Sequence, residues 1–440
     1  MQLAGFLITV AVSHICAIID RKKACLLFRR SGCLYFFHQV NAMNQNEHNK
    51  RYFILAGALR IVALLCVTGP IMQTFLASIG FSSRWIYIHT SIVQAVNILT
   101  ISLCSTWADR GSVIRRTVIV EVPYALLYLL YIPLCLWKSA SILSFLALTG
   151  ICLLQSVCIA LWTICEYKLP YYIFTPEDYG SVLSVSGIIG SLISLSAGVL
   201  ITQLNSLLSY STLMLWACAL SVVLMLACSL LHSALKPIGD ASQVNLPAAR
   251  SKTNQLAVFR YPVFLRMIPA NLMRGFGYGT TTIFAAIALD LGFDAGVATA
   301  LVSAQSIAAL AGCSLMGISI SFVAPRYVTL AGSLTFVLIP LMLIPNQYVF
   351  LAVFAVIYLG RTLVDYSVPA ILRSAIPVQL AGPFNAWRML LHNGGTLIAT
   401  TVAAFIPVTW LLVITMAFQL LSGLHFFLSR DLRDTQPFSQ

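Results

Sequence analysis

Charge is what this sequence has least of. Of its 440 residues only 9% are charged against 59% apolar, with a mean hydropathy of +0.91, whereas a soluble globular domain carries roughly 25% charged residues. A water-soluble class is thereby excluded, and the chain reads as a membrane protein. Catalytic signatures are missing too. No GxSxG, HExxH or clustered His and Asp offers a nucleophile or a metal its partners, so the chain reads as no enzyme. The run GFGYG, with Gly275, Gly277 and Gly279, imitates a nucleotide loop, yet no strand precedes it and no GKS or GKT follows. ATP-driven pumping thus has no site, and those glycines read as a place where a helix bends. The twelve cysteines contain no CxxC pair; they read as small buried hydrophobes, with no disulfide, metal or cofactor expected. No basic segment precedes the apolar run that opens the chain, which argues against a signal peptide.

What is present is a succession of apolar runs of about 20 residues, the length that crosses a hydrocarbon core roughly 30 Å thick. Peptide groups facing lipid must be satisfied internally, so these runs are helices. They fall near Tyr52 to Ser78, Trp85 to Trp107, Thr117 to Trp137, Ser141 to Ile164, Ser181 to Gln203 and Leu207 to Leu231. A second set falls near Ile268 to Asp290, Ala295 to Ser319, Tyr327 to Ile344, Tyr348 to Ala370, Phe384 to Ile406 and Val408 to Leu428. The expected fold is an all-α polytopic membrane protein of twelve transmembrane helices in two six-helix bundles, 52–232 and 263–429. A Pro-, Ser- and Asn-rich linker over 233–262 separates them, and 430–440 forms a tail. Residues 1–51 form an N-terminal extension, of which 1–42 read either as a start-site artefact ahead of Met43 or as a thirteenth helix.

Lys and Arg set the orientation, because positive loops stay cytoplasmic. With the loop 105–116 inside, only Arg84 and Lys138 of the loop charges fall outside. Both ends of the twelve-helix body are then cytoplasmic, in a plasma membrane. The formal charge of +13 is topology signal and attraction to anionic lipid, and requires no nucleic acid.

The halves repeat. IGFSS (Ile79 to Ser83) follows the first helix and LGFDA (Leu291 to Ala295) the seventh; Gly80 precedes Asp109 by 29 residues and Gly292 precedes Ser321 by 29. At the same offset Ser105 matches Gly317 and Pro133 matches Pro345. Gly180, Ser184, Gly187, Ser191, Ser194 and Gly198 recur in steps of four and three along the fifth helix, a stripe that admits a close neighbour.

Between the second and third helices, STWADRGSVIRR combines a small residue, three residues, Asp-Arg and a basic pair. This resembles the GxxxDRxGRR signature of the major facilitator superfamily, and the resemblance covers the chain from about Tyr52 to Leu428. It implies two bundles rocking about a central site and a cytoplasmic latch at this loop. In that latch Asp109 would cap a helix of the other half, Arg110 would pair with Glu166, and Arg115 and Arg116 would meet headgroups. Ser105 replaces the first glycine, Gly111 comes one position early and the basic pair comes late, which puts the geometry after Arg110 in doubt.

Function is expected in polar residues within the spans, where a charge costs about 2.5–3.5 kcal/mol on insertion scales. Arg361 and Asp365 share a face of the tenth helix, as a structural ion pair or as a substrate or proton site. Thr90, Gln94 and Asn97 share a face of the second helix and Gln155 sits in the fourth; their amides suit either a polar solute or interhelical bonding. Arg60 and Arg274 are near-equivalents of the first and seventh helices, suited to snorkelling, gating or an anion. Glu121 and His392 are further candidates for protonation. The sequence therefore implies a secondary active transporter of a small-molecule substrate, coupled to protons or another cation through Asp365 and working as a monomer in the lipid bilayer. A cation-coupled sugar symporter of the glycoside-pentoside-hexuronide type and a non-transporting receptor-like protein are the alternatives.

Overall fold

The structure is a computed structural model that describes residues 33–67, 69–104, 107, 112–137, 140–166, 168–174, 176–238, 255–319, 323–375 and 381–429. The chain divides into two compact units, Met1–His48 and Asn49–Gln440. Among the described residues the helices group into twelve spans. The first is α1 (Cys33–Val67) and α2 (Pro70–Ser78), followed by α3 (Ser83–Cys104) as the second. The third is α4 (Val113–Leu127), a 3-10 turn (Tyr128–Leu130) and α5 (Tyr131–Trp137). The fourth is α6 (Ile142–Glu166); after the short α7 (Leu169–Ile173) come α8 (Pro176–Leu207) and α9 (Tyr210–Ser233). The second half runs α10 (Pro262–Thr282) with α11 (Phe284–Asp290), α12 (Ala295–Ser319), and α13 (Pro325–Leu334) with a 3-10 stretch (Thr335–Leu343). It closes with α14 (Gln347–Ala375), α15 (Ala381–Ala403) and α16 (Val408–Leu428). Eight of these helical stretches are long and apolar enough on their own to cross a membrane.

The duplicated turns fold alike. Gly80 and Gly292 both adopt positive φ, 102° and 83°, a conformation that favours glycine at a helix end. Gly80 N–H donates to Ala77 O and Phe81 N–H to Leu76 O, at 3.0 and 3.1 Å; Gly292 N–H and Phe293 N–H repeat this with Leu289 O and Ala288 O, both at 3.0 Å. Phe81 then packs on Phe145 at the start of the fourth span, as Phe293 packs on Phe350 at the start of the tenth. The end of the bundle carrying these turns is called the Gly80 end below.

Several spans expected to be continuous are broken, and the breaks recur between the halves. The first span turns at Gly69, whose φ is 59°, ahead of Pro70. The seventh breaks at Ile283, and the third and ninth both pass into 3-10 helix, the ninth over nine residues that include Pro340. Proline accounts for the 3-10 stretch, since its ring cannot donate to the preceding turn.

The glycines of the seventh span do not bend it. The break lies beyond them, and each one admits a neighbour. A Cβ on Gly275 would collide with the His392 carbonyl, one on Gly277 with Gln419, and one on Gly279 would lie 2.7 Å from Thr396 O. The fifth-span stripe packs in the same manner: a Cβ on Gly198 would lie 2.9 Å from Ser303 Oγ in the eighth span. Gly180 and Ser184 lie within α8, and their packing lies outside what is described.

The start of the first span is anchored by Asn49, fully buried. It donates to Ile173 O and Lys236 O, at 3.0 and 2.7 Å, and accepts from Lys236 N–H at 3.0 Å. Residues 1–32, on which the artefact and thirteenth-helix readings bear, lie outside the described residues, as do 239–254 of the linker.

Gly275→Ala is expected to force the seventh and eleventh spans apart and to lower stability by about 1–3 kcal/mol. Thermal denaturation in detergent checks this: an unchanged melting temperature would contradict the close approach.

Candidate functional site

Two polar clusters, one in each half, are built on the same plan, with buried or nearly buried arginines meeting more exposed acids. In the second half, Arg274 of α10 has a guanidinium nitrogen 4.0 Å from Asp365 Oδ1, and Arg361 Nε lies 3.6 Å from Asp365 Oδ2. Arg361 and Asp365 are four apart on α14 and so share a face, as their spacing predicts. Arg361 Nη1 also donates to Thr281 Oγ1 at 2.7 Å, and its charge lies 3.6 Å from the ring centre of Tyr278 and 4.6 Å from that of Tyr358. Such aromatic faces stabilise a desolvated guanidinium by roughly 2 kcal/mol or more. The Tyr278 ring meets His392 at 4.7 Å between centroids. His392 is buried with no partner for Nδ1, and Arg274, Arg361 and Arg388 all act on it electrostatically.

In the first half, Arg60 of α1 pairs with Glu166 at the end of α6, 3.8 Å away, and lies over the Trp162 ring. An arginine of the first or seventh span thus meets an acid of the fourth or tenth in both halves. Trp162 Nε1–H donates to Glu121 Oε1 at 3.0 Å, and His232 Nδ1 lies 2.7 Å from the same oxygen.

The sequence-predicted residues divide accordingly. Arg274, Arg361, Asp365 and His392 come together. Gln94 and Asn97 lie half-buried on α3, and Gln155 is buried on α6, where it accepts from Tyr131 Oη–H at 2.7 Å. Of the latch, Ser105, Asp109 and Arg110 lie outside the described residues. Glu166, expected opposite Arg110, is engaged by Arg60. Arg115 is exposed at the start of α4, and Arg116 lies 4.4 Å from the Trp107 ring centre.

A third feature has no counterpart in the sequence reading. The halves are joined near the Gly80 end by side chains. Gln73 of α2 donates to Thr282 O at 2.7 Å and accepts from Ala286 N–H at 3.1 Å. Those two groups would bond each other in an unbroken helix, so the Gln73 amide occupies the gap in the seventh span. Tyr87 Oη–H donates to Asp290 Oδ2 at 2.7 Å, Ser83 Oγ–H donates to Asp290 Oδ1, and Ser91 Oγ–H donates to Thr400 Oγ1 at 3.0 Å. An amide inside an apolar helix was the one available signal for Gln73.

No protein-family model and no curated protein matches the sequence. Solved structures do. A D-xylose–proton symporter superposes with a TM-score of 0.66 at 9% identity, covering 88% of this chain and 98% of that one. A mutant form of the nucleoside transporter NupG gives 0.65 at 14% identity, covering 86% and 98%. A bacterial homologue of the iron transporter ferroportin in an inward-facing state gives 0.63 at 13% identity, covering 86% and 97%. The outward-facing state of such a homologue gives 0.58.

Gln73→Ala is expected to leave Ala286 N–H and Thr282 C=O unpaired, at about 1–3 kcal/mol. Closure at the Gly80 end then weakens, and a cysteine at Ser91, in a background without reactive native thiols, labels faster with a polar maleimide. Equal labelling rates would show that Gln73 does not hold this end shut.

At these identities the likeness establishes architecture, and the chain has the fold of the major facilitator superfamily transporters.

Proposed function

We propose that the chain is a secondary active transporter that moves a small solute by alternating access, with the Arg274–Arg361–Asp365–His392 cluster as its solute site. The observation that carries this is the asymmetry of closure. Side chains from both halves join near the Gly80 end, while Asp365, further from that end, keeps 37% of its side chain exposed. The better superposition on an inward-facing structure than on an outward-facing one supports the same assignment, with the Gly80 end outside. The Lys and Arg pattern of the loops supports cytoplasmic ends for the twelve-span body, and a plasma membrane as the location completes the reading.

The charges favour a solute with an anionic group. Two guanidiniums share one carboxylate in this cluster, and planar forks of N–H donors suit carboxylate or phosphate. An incoming anion competes with Asp365 for the arginines. Once displaced, the Asp365 carboxylate has lost its counter-charges and takes up a proton, which couples solute to proton. The aromatic walls, Tyr278 and Tyr358, add stacking surface for a planar group. The second reading, a sugar symporter, draws on Gln94 and Asn97, which have no hydrogen-bond partner among the described residues and are available to hydroxyls.

A thermal-shift screen of the purified protein against organic anions, sugars, amino acids and cationic amphiphiles tests the assignment. A ligand at about 100 times its dissociation constant stabilises by about 2.7 kcal/mol. An anion is expected to raise the melting temperature and Arg361→Gln to abolish that rise; a response to sugars alone transfers the site to Gln94 and Asn97. Asp365→Asn is expected to flatten the pH dependence of uptake, and an unaltered profile removes the proton from this residue.

A further inference from the structure

The first half holds a group of donors that solute transport leaves without a task. Glu121 of α4, and Cys228 and His232 of α9, bring a carboxylate oxygen, a thiol and an imidazole nitrogen within 4.8 Å of one another, all buried. We propose that these three residues form a binding site for a divalent transition-metal ion of the zinc class, clasping the third span to the sixth.

Cys228 and His232 are four apart on one helix and so face the same way, while Glu121 approaches from the neighbouring span. Glu121 Oε1 lies 3.7 Å from Cys228 Sγ and 2.7 Å from His232 Nδ1, and Cys228 Sγ lies 3.8 Å from His232 Nδ1. Zinc bonds of about 2.3 Å to sulfur and about 2.0 Å to nitrogen or oxygen set tetrahedral donors roughly 3.3–3.6 Å apart. The two sulfur distances are already close to this. The nitrogen–oxygen distance must open by about 0.6 Å.

Two further observations point to a cation site. Glu121 Oε2 is buried and has no hydrogen-bond partner among the described residues, in a side chain only 1% exposed, and an orphaned carboxylate oxygen is costly. Beside Glu121 lies a cavity with room for about one water, lined also by Cys158 and Met225 though not by Cys228 or His232, from which a water could reach the carboxylate side of the site. A thiolate, a carboxylate and a neutral imidazole balance a divalent ion; binding releases the Cys228 proton and any second proton held by His232. Trp162 Nε1–H, 3.0 Å from Glu121 Oε1, orients the carboxylate from outside the donor set. Arg60 also lines the cavity, but its charge is engaged by Glu166 and the Trp162 ring. The competing occupant is a proton shared by Glu121 and His232, which leaves the thiol protonated and limited to long S–H hydrogen bonds. Cys228 therefore separates the two.

The full-length protein, purified and stripped with a chelator, is titrated with Co(II) and then Zn(II). The expected result is one equivalent of cobalt, a thiolate-to-cobalt charge-transfer band, tetrahedral ligand-field bands, and displacement by zinc with a higher melting temperature. Cys228→Ser removes the charge-transfer band. His232→Ala, Glu121→Gln and Trp162→Phe each weaken binding by about tenfold or more, while Cys158→Ser keeps the band. The proposal is overturned if the folded wild type retains no metal, if the band survives Cys228→Ser, or if Glu121→Gln and His232→Ala alter only the pH dependence of transport.

Discussion

Opening a helix within a bilayer frees an N–H and a C=O that lipid cannot satisfy, and in this chain one side-chain amide answers both. Gln73 of the first span donates to Thr282 O and accepts from Ala286 N–H, so the seventh span breaks where the opposite half can complete it. Much of the remaining geometry follows. Beyond the break, α11 brings Asp290 to Tyr87 and Ser83. Before it, Arg274, Tyr278 and Thr281 of α10 face the tenth span, with Thr281 accepting from Arg361. Closure of one end and construction of the polar cluster are thus properties of one interrupted helix. If the halves separate at the Gly80 end, the same amide leaves, and the seventh span regains the freedom to form its own bond.

The duplication is faithful in backbone and divergent in charge. Both halves end their first helix in the same glycine-capped turn, distort the third member of the set, and pair an arginine from their first member with an acid from their fourth. Around that common frame the first half collects carboxylates, Glu121 and Glu166, with one arginine, whereas the cluster of the second half has two arginines and one aspartate. A repeat that keeps its helix positions but changes its charges retains the two-bundle architecture while making its halves chemically distinct. In a medium where an isolated charge is expensive, that distinction determines what each half can hold.

Particular residues show how far the sequence could be read. The Gly80 and Gly292 turns were legible because positive φ and the following phenylalanine are local requirements, written in five adjacent residues each time. Arg361 and Asp365 were legible as a pair because four residues make one helical turn. Gln155, grouped with Gln94 and Asn97 by chemistry, has an oxygen that accepts from Tyr131 of the third span, a partner that spacing along its own helix does not reveal. Glu166, which the motif pairs with Arg110, meets Arg60, and Arg110 itself lies outside the described residues. The glycines of GFGYG suggested flexibility, yet they face His392, Gln419 and Thr396 at distances that a side chain would obstruct. Glu166 and the seventh-span glycines meet partners more than a hundred residues away, about which local spacing says nothing.

Composition, span length and the repeated turns determined by themselves that this is a twelve-helix membrane protein of two related halves, because lipid admits one way to satisfy a backbone and helix length follows the bilayer. Tertiary structure decided where the helices break, which charges meet, and which end is shut. Those depend on contacts between spans distant in sequence, where the energy of a buried polar group is set by the neighbour that packing supplies.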